Sequence, residues 1–193
     1  MKKLVLLIAI ALAACSLYAD YEYLNSSFTG GFSTVNGNPT IGFGSSYQVL
    51  AMANNRLSFG VGAKTDVDIA LSDIVDGLSF GTFFGPAFEI KLSKTTSFNL
   101  ASGLSFYVED TFEKDSNEYN SLGLGFDASF NCYFDTEDNM GLALGVSGYL
   151  SFMGLDEYSR GFCSDISAYV GISTRFFDED TSLRDEYLDF FFY

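Results

Sequence analysis

Large apolar residues alternate with small or polar residues along two stretches of the chain, residues 121–134 and 140–152. In the first stretch one parity carries Leu122, Leu124, Phe126, Ala128, Phe130, Cys132 and Phe134, and the other carries Ser121, Gly123, Gly125, Asp127, Ser129, Asn131 and Tyr133. A period of two sustained over such stretches predicts β-strands with two chemically distinct faces. A soluble sheet shows charged and β-branched residues to water, whereas a membrane barrel turns Leu and Phe to lipid and fills its lumen with small and polar groups. The pattern therefore favours a barrel in a membrane.

Composition agrees with this interpretation. The chain has 193 residues, of which 48% are hydrophobic and 19 are Gly. No internal stretch reaches the roughly 18 consecutive apolar residues of a membrane-spanning helix. The length allows one domain with about eight strands and short connections. We therefore predict an all-β fold, an antiparallel up-and-down closed β-barrel that follows an N-terminal signal peptide.

The N-terminus has the composition of an export signal. Lys2 and Lys3 precede an apolar run, residues 4–14, and Ala19 offers a small residue for cleavage. This predicts a signal peptide over residues 1–19 and export to the outer membrane. A second possibility remains open, because the residues up to Cys15 resemble a bacterial lipobox, and cleavage there would leave Cys15 as a lipidated N-terminus.

Turn residues divide the rest of the chain into eight predicted strands. They cover residues 20–34, 40–52, 57–70, 78–92, 97–112, 121–134, 140–152 and 162–177. Pro39 is expected to stop pairing after a turn at residues 35–39. Pro86 lacks an N–H, so Gly85-Pro86 is predicted to form a bulge, which leaves the facing of the fourth strand open.

The predicted connections alternate in length along the chain. Those after the second, fourth and sixth strands are short, and those after the third, fifth and seventh are longer. The connection after the first strand, at about five residues, is the exception. Short turns on one rim and longer loops on the other are typical of outer-membrane barrels, with the short rim in the periplasm. The barrel is predicted to occupy residues 20–177, with both ends on the periplasmic side.

One stretch of the last predicted strand carries a sequence signal that is more specific than the alternation of apolar and polar residues. Residues 169–176, which contain Tyr169, Gly171 and Phe176, resemble the C-terminal insertion signal of small eight-stranded outer-membrane barrels of the OmpA/OmpX type. The resemblance implies that the outer-membrane assembly machinery grips this strand and that lipid surrounds the barrel. The chain departs from the family by continuing into an acidic, aromatic tail, residues 178–193. Either the tail is an appendage, or its aromatic end is the true signal and the strand register is wrong.

Several charged and tyrosine side chains fall on the inward parity of the predicted strands. These candidate lumen residues are Lys64, Asp66, Asp127, Asp165, Arg175, Tyr107, Tyr133, Tyr149 and Tyr169. The interior of an eight-stranded barrel is just wide enough for side chains to fill. Buried ions cost several kcal/mol unless paired, so Lys64 and Arg175 are expected to neutralise nearby Asp residues. The alternative is a narrow ion or solute path gated by these pairs.

Charge and residue types narrow the function classes. The net charge is −15, and loss of Lys2 and Lys3 with the leader would make it about −17. Such acidity argues against nucleic acid as a partner. The chain has no His and its three Cys lack metal-site spacing, so we predict no catalytic residues, no metal site and no cofactor.

Three functions remain open from the sequence. The first is a monomeric, non-enzymatic outer-membrane barrel with a structural or surface-interaction role. The second is a soluble periplasmic or secreted lipocalin-like barrel that binds an apolar ligand, and the third is a narrow channel. For the membrane barrel, Cys132 and Cys163 lie near opposite rims, so no disulfide is expected between them.

Overall fold

The computed structural model describes residues 23–35, 38–54, 56–70, 77–111, 119–134, 140–155 and 163–177. They form eight strands: β1 (Tyr23–Val35), β2 (Asn38–Asn54), β3 (Leu57–Ala70), β4 (Gly77–Lys91), β5 (Thr96–Thr111), β6 (Tyr119–Tyr133), β7 (Met140–Gly154) and β8 (Cys163–Phe177). Each strand pairs antiparallel with its neighbours in the chain, and β1 also pairs with β8, so the sheet closes. The predicted closed up-and-down barrel is confirmed. The described residues include no helix that is long and apolar enough to cross a membrane.

Both ends of the barrel lie on one rim, because Tyr23 at the start of β1 pairs with Phe177 at the end of β8. We call this the terminal rim, and it also carries the connections after β2, β4 and β6. The opposite rim, which we call the loop rim, carries the connections after β1, β3, β5 and β7. The connection after β1 spans only residues 36–37, whereas those after β5 and β7 span residues 112–118 and 155–162.

Neither proline interrupts its strand. Burial alternates without a break along β4, and its register with β3 continues through Val61 and Pro86. The predicted bulge is therefore wrong, and the facing that the sequence left open is the same along the whole strand. The missing N–H of Pro86 is accommodated on the β5 side, where paired positions resume at Ala87 and Ala101 in unchanged register. Pro39 was predicted to stop pairing but lies within β2 opposite Thr34. The ladder to β3 begins only at Thr40, so Pro39 lies outside that ladder.

The register shifts occur elsewhere. One lies between Met52 and Asn54 near the end of β2, and one lies opposite Leu122 and Gly123 of β6. In the second case β7 carries one extra residue, and both Phe152 and Met153 are exposed on the outer surface. Bulges are common at barrel rims, because an extra residue changes strand twist there without disturbing the central ladder.

The large apolar side chains face outward and the polar ones face inward. Phe32 is 73% exposed, and Leu104 and Leu144 are similarly exposed on other strands. Among the buried described residues, polar and charged side chains outnumber apolar ones. A lipocalin-like barrel has the opposite arrangement, with an apolar cavity inside. The soluble ligand-binding alternative is therefore wrong for this barrel.

Candidate functional site: the barrel lumen

The inward face of the barrel forms the candidate site. All nine candidate lumen residues are at most 7% exposed. They come from β3, β5, β6, β7 and β8, and the structure brings most of them into two groups at different heights of the lumen.

The first group extends from mid-barrel to the loop rim, and we call it the acidic cluster: Lys64, Asp66, Asp68, Asp127 and Asp165. The Nζ atom of Lys64 lies 3.1 Å from Oδ1 of Asp127 and 3.7 Å from Oδ1 of Asp66. It also lies 3.7 Å from the centre of the Tyr169 ring, a cation–π contact. Lys64 therefore lies in ion-pair contact with both Asp66 and Asp127.

Two tyrosines hydrogen-bond to the carboxylates that Lys64 contacts. The hydroxyl of Tyr169 donates to Oδ1 of Asp127 at 2.6 Å, and that of Tyr149 donates to Oδ2 of Asp66 at 2.8 Å. Hydrogen bonds to charged groups stabilise by about 1.5–3 kcal/mol. The two tyrosines therefore anchor β7 and β8 to carboxylates on β3 and β6.

Asp68 was not among the candidate residues, although it shares the inward parity of Lys64 and Asp66. Its carboxyl group accepts a hydrogen bond from the Ser33 hydroxyl and lies close enough to the carboxyl group of Asp165 to interact with it. This contact joins β1, β3 and β8 near the loop rim. Sequence parity alone could have identified Asp68 as inward, but not its partner.

The second group lies near the terminal rim, and we call it the terminal cluster: Asn25, Glu89, Tyr133 and Arg175. A guanidinium nitrogen of Arg175 lies 3.1 Å from Oε1 of Glu89, and the guanidinium carbon lies 3.9 Å from the centre of the Tyr133 ring. Asn25 donates a longer bond, 3.4 Å, to the same Glu89 oxygen. Arg175 was expected to neutralise an Asp. That expectation is wrong, because the acid that Arg175 contacts is Glu89 of β4. The sequence missed Glu89 because Pro86 left the facing of that strand undecided.

Glycines on the inward face lie in contact with aromatic rings from other strands. A Cβ atom added at Gly81 would lie 2.5 Å from the Tyr149 ring, and one at Gly125 would lie 2.5 Å from Phe83. An added Cβ at Gly145 would lie 2.6 Å from the Tyr169 hydroxyl. Each distance is too short for a real side chain, so the rings lie against bare backbone of other strands. These three glycines of the inward parity therefore leave space for aromatic rings from other strands.

The remaining sequence-predicted sites lie on β8 or outside the described residues. Tyr169 and Gly171 are on the inward face of β8, and Phe176 is on the outer face at 52% exposure. The β8 ladder to β1 continues in register to Phe177, so the predicted strand register holds at this end. Ala19, Cys15 and the tail at residues 178–193 lie outside the described residues. Within the strands and turns that are described, no three His, Cys, Asp or Glu side chains are arranged to hold a metal ion.

Comparison with solved structures identifies the fold. Neisserial surface protein A is similar to this chain at a TM-score of 0.56 and 13% identity, with 80% of this chain and 96% of that chain covered. The N-terminal β-barrel domain of Pseudomonas aeruginosa OprF is similar at a TM-score of 0.50 and 13% identity, with 81% of this chain and 98% of that chain covered. No protein-family model matches the sequence, and no curated protein matches it. The chain therefore has the fold of the small eight-stranded outer-membrane β-barrels.

Proposed function

We propose that this chain is a non-enzymatic integral protein of the bacterial outer membrane, with a structural or surface-interaction role and a lumen closed by side chains. The observation that supports this most directly is the inverted distribution of polarity. Exposed Phe, Leu, Ile and Val side chains encircle a buried network of charged and hydroxyl groups. In water this belt of exposed apolar side chains would cause aggregation, whereas in a membrane it would contact the lipid chains.

The closed hydrogen-bonding ladder is also consistent with a position in a lipid bilayer. A bilayer core cannot satisfy free N–H and C=O groups, so a sheet that spans it must have no open edge. The pairing of β1 with β8 removes both edges. In the proposed orientation the terminal rim is in the periplasm, the loops of the loop rim are outside the cell, and the assembly machinery binds β8 through Tyr169, Gly171 and Phe176. We propose a monomer, because the barrel closes on itself.

Gel mobility of the folded protein tests the closed barrel. We expect protein folded in mild detergent to migrate differently before and after boiling in dodecyl sulfate, because a sheet without edges resists unfolding until heated. The protein should also remain in washed outer membranes and require detergent for extraction. Identical mobility in both lanes, from a sample shown to be β-rich, would contradict the closed barrel.

A matched pair of variants tests the lipid-facing belt. Val146 lies outward at the middle of β7 and Thr34 lies outward at the loop-rim end of β1. We expect Val146→Arg to destabilise the barrel folded in liposomes by about 2–4 kcal/mol and Thr34→Arg by about 0–1 kcal/mol, because the cost of a charge depends on its depth. Equal effects of the two substitutions would argue against a barrel surrounded by lipid.

Electrical recording tests the closed lumen. We expect purified protein in planar bilayers to give no stable open channel, because Tyr149, Tyr169 and the ion pairs fill the interior. Reproducible single-channel steps that vanish when Tyr149 or Asp127 is substituted would favour the narrow channel instead.

A further inference from the structure

We propose that the acidic cluster binds a proton, held between the carboxyl groups of Asp165 and Asp68, and that this proton makes the stability of the barrel depend on pH. The inference concerns the interior of the barrel and does not depend on the membrane in which the barrel resides.

The charges of the acidic cluster do not balance. Asp66, Asp68, Asp127 and Asp165 face one ammonium group, that of Lys64, and all five side chains are at most 7% exposed. Lys64 forms its ion pairs with Asp66 and Asp127. A buried carboxylate without a counter-charge is costly enough that the group takes up a proton instead. Asp68 and Asp165 are the members of the cluster that Lys64 does not contact in an ion pair.

Two neighbouring carboxyl groups can share a hydrogen bond only if one of them is a donor. An ionised carboxylate only accepts hydrogen bonds, so Asp68 and Asp165 can share one only if one of them carries a proton. Asp68 accepts a further bond from Ser33, which favours its charged form. Oδ1 of Asp165 has no hydrogen-bond partner in the described structure, and the residue is 2% exposed. We therefore assign the proton to Asp165, whose hydroxyl donates to the carboxylate of Asp68.

Among the described residues, the groups around this pair supply no second cation. Strands β1, β2 and β4 contribute neutral side chains beside it, Ser33, Thr40 and Ser79. The Ser79 hydroxyl on β4, opposite Asp68, is 4% exposed and has no partner in the described structure. The other titratable or charged groups of the described residues that face the pair are Lys64 and Asp66 on β3, Tyr107 and Glu109 on β5, Asp127 on β6 and Tyr149 on β7. Glu109 adds negative charge on that side, which further opposes ionisation of Asp165.

Infrared spectroscopy tests the proton directly. The full chain is labelled with carboxyl-13C aspartate and folded in a detergent without carbonyl groups. We expect a band from a protonated aspartic acid at neutral pH. Asp165→Asn should remove one carboxyl's intensity from this band, because Asp165 carries the proton. Asp127→Asn is the matched control, since Asp127 is paired with Lys64, and it should leave that band in place.

Two results would overturn the proposal. The first is a wild-type protein without a protonated aspartate band at neutral pH. The second is a folded Asp165→Asn variant that keeps the full intensity, since the proton would then reside elsewhere. If the variants do not fold, a pH titration of the wild-type band decides the question, because one carboxyl must lose its band as the pH rises.

Unfolding measurements give a second readout. At neutral pH the folded barrel would hold one proton more than the unfolded chain, whose aspartates are ionised above about pH 4. Folding stability must then fall as pH rises, with the folding equilibrium constant losing up to about tenfold per pH unit from this site. The Asp165→Asn variant should show a flatter dependence than wild type, and Asp127→Asn should not. A wild-type stability that rises from pH 5 to 8 by this measure would contradict a bound proton.

Discussion

The terminal cluster and the acidic cluster differ in how their buried carboxyl groups are neutralised. In the terminal cluster the guanidinium of Arg175 contacts Glu89 at 3.1 Å and covers the Tyr133 ring, so the one carboxylate of that cluster has a cation in direct contact. In the acidic cluster Lys64 contacts Asp66 and Asp127 but forms no ion pair with Asp68 or Asp165. The comparison teaches that burial alone does not decide how an acid is neutralised: Glu89 has a cation in contact, whereas for Asp68 and Asp165 we propose a shared proton.

Removal of the cation of the acidic cluster tests whether Lys64 compensates the buried acids. We expect Lys64→Met to lower the free energy of unfolding by about 3–5 kcal/mol, because Asp66 and Asp127 then remain buried without a counter-charge. Urea unfolding of protein folded in liposomes, followed by circular dichroism, measures this. Arg56→Met is the control, since Arg56 is exposed in a turn and should change stability by about 0.5 kcal/mol or less. Similar losses for both variants would show that Lys64 does not compensate the cluster.

A second substitution, which also removes an acid, measures how much stability each cluster recovers. We expect Arg175→Met to cost about 3 kcal/mol and Arg175→Met with Glu89→Gln to recover most of that loss, because the double variant leaves no unpaired charge in the pair. Lys64→Met with Asp127→Asn should recover much less, because three acids of the acidic cluster remain. Unfolding of all four variants under one condition gives both recoveries. Equal recoveries would mean that the two clusters are electrostatically alike.

The packing of the lumen predicts a smaller effect. Gly81→Ala should destabilise by about 1–3 kcal/mol, because its methyl group would meet the Tyr149 ring at 2.5 Å. Gly30→Ala is the matched control on the outer face, where the added Cβ would lie 3.5 Å from the Phe43 ring, an ordinary contact. The same urea measurement compares them. A Gly81→Ala variant as stable as Gly30→Ala would show that Tyr149 moves aside easily.

The smallest expected effect concerns the cysteines at the two rims. Through the registers of β6, β7 and β8, Cys132 lies level with Leu142 and Ile172, and Ile172 is nine residues from Cys163. At about 3.3 Å per residue the two Cα atoms are roughly 30 Å apart, whereas a disulfide needs about 7 Å or less. We expect a reducing agent to leave the gel mobility of the folded monomer unchanged. Peptide mapping without reductant should find no bond between Cys132 and Cys163, and finding one would contradict the barrel.

Much of the fold was predictable because alternation is a local property. The predicted bounds of the third strand agree with β3, Leu57–Ala70, and the outward Leu and Phe residues of β6 and β7 are those that the parity indicates. The errors came at prolines. A missing N–H predicts an interruption when a strand is considered alone, but the remaining ladder bonds on both sides keep Pro86 in register.

The partners within the lumen were less predictable. Asp68 and Glu89 lie on inward faces, yet no local pattern indicates that Asp68 meets Asp165 or that Glu89 meets Arg175, 86 residues further along the chain. Which side chains meet across a barrel depends on strand tilt and on the combined registers of all pairs around the closed sheet.

The sequence by itself therefore determined that this chain forms strands with an apolar and a polar face, because the side of a strand on which a residue lies follows from the two-residue repeat of the backbone. Only the tertiary structure decided that Lys64 contacts Asp127 and that Asp68 contacts Asp165. Those contacts cross the lumen between strands that are not neighbours in the ladder, so their positions are set by closure of the sheet as a whole.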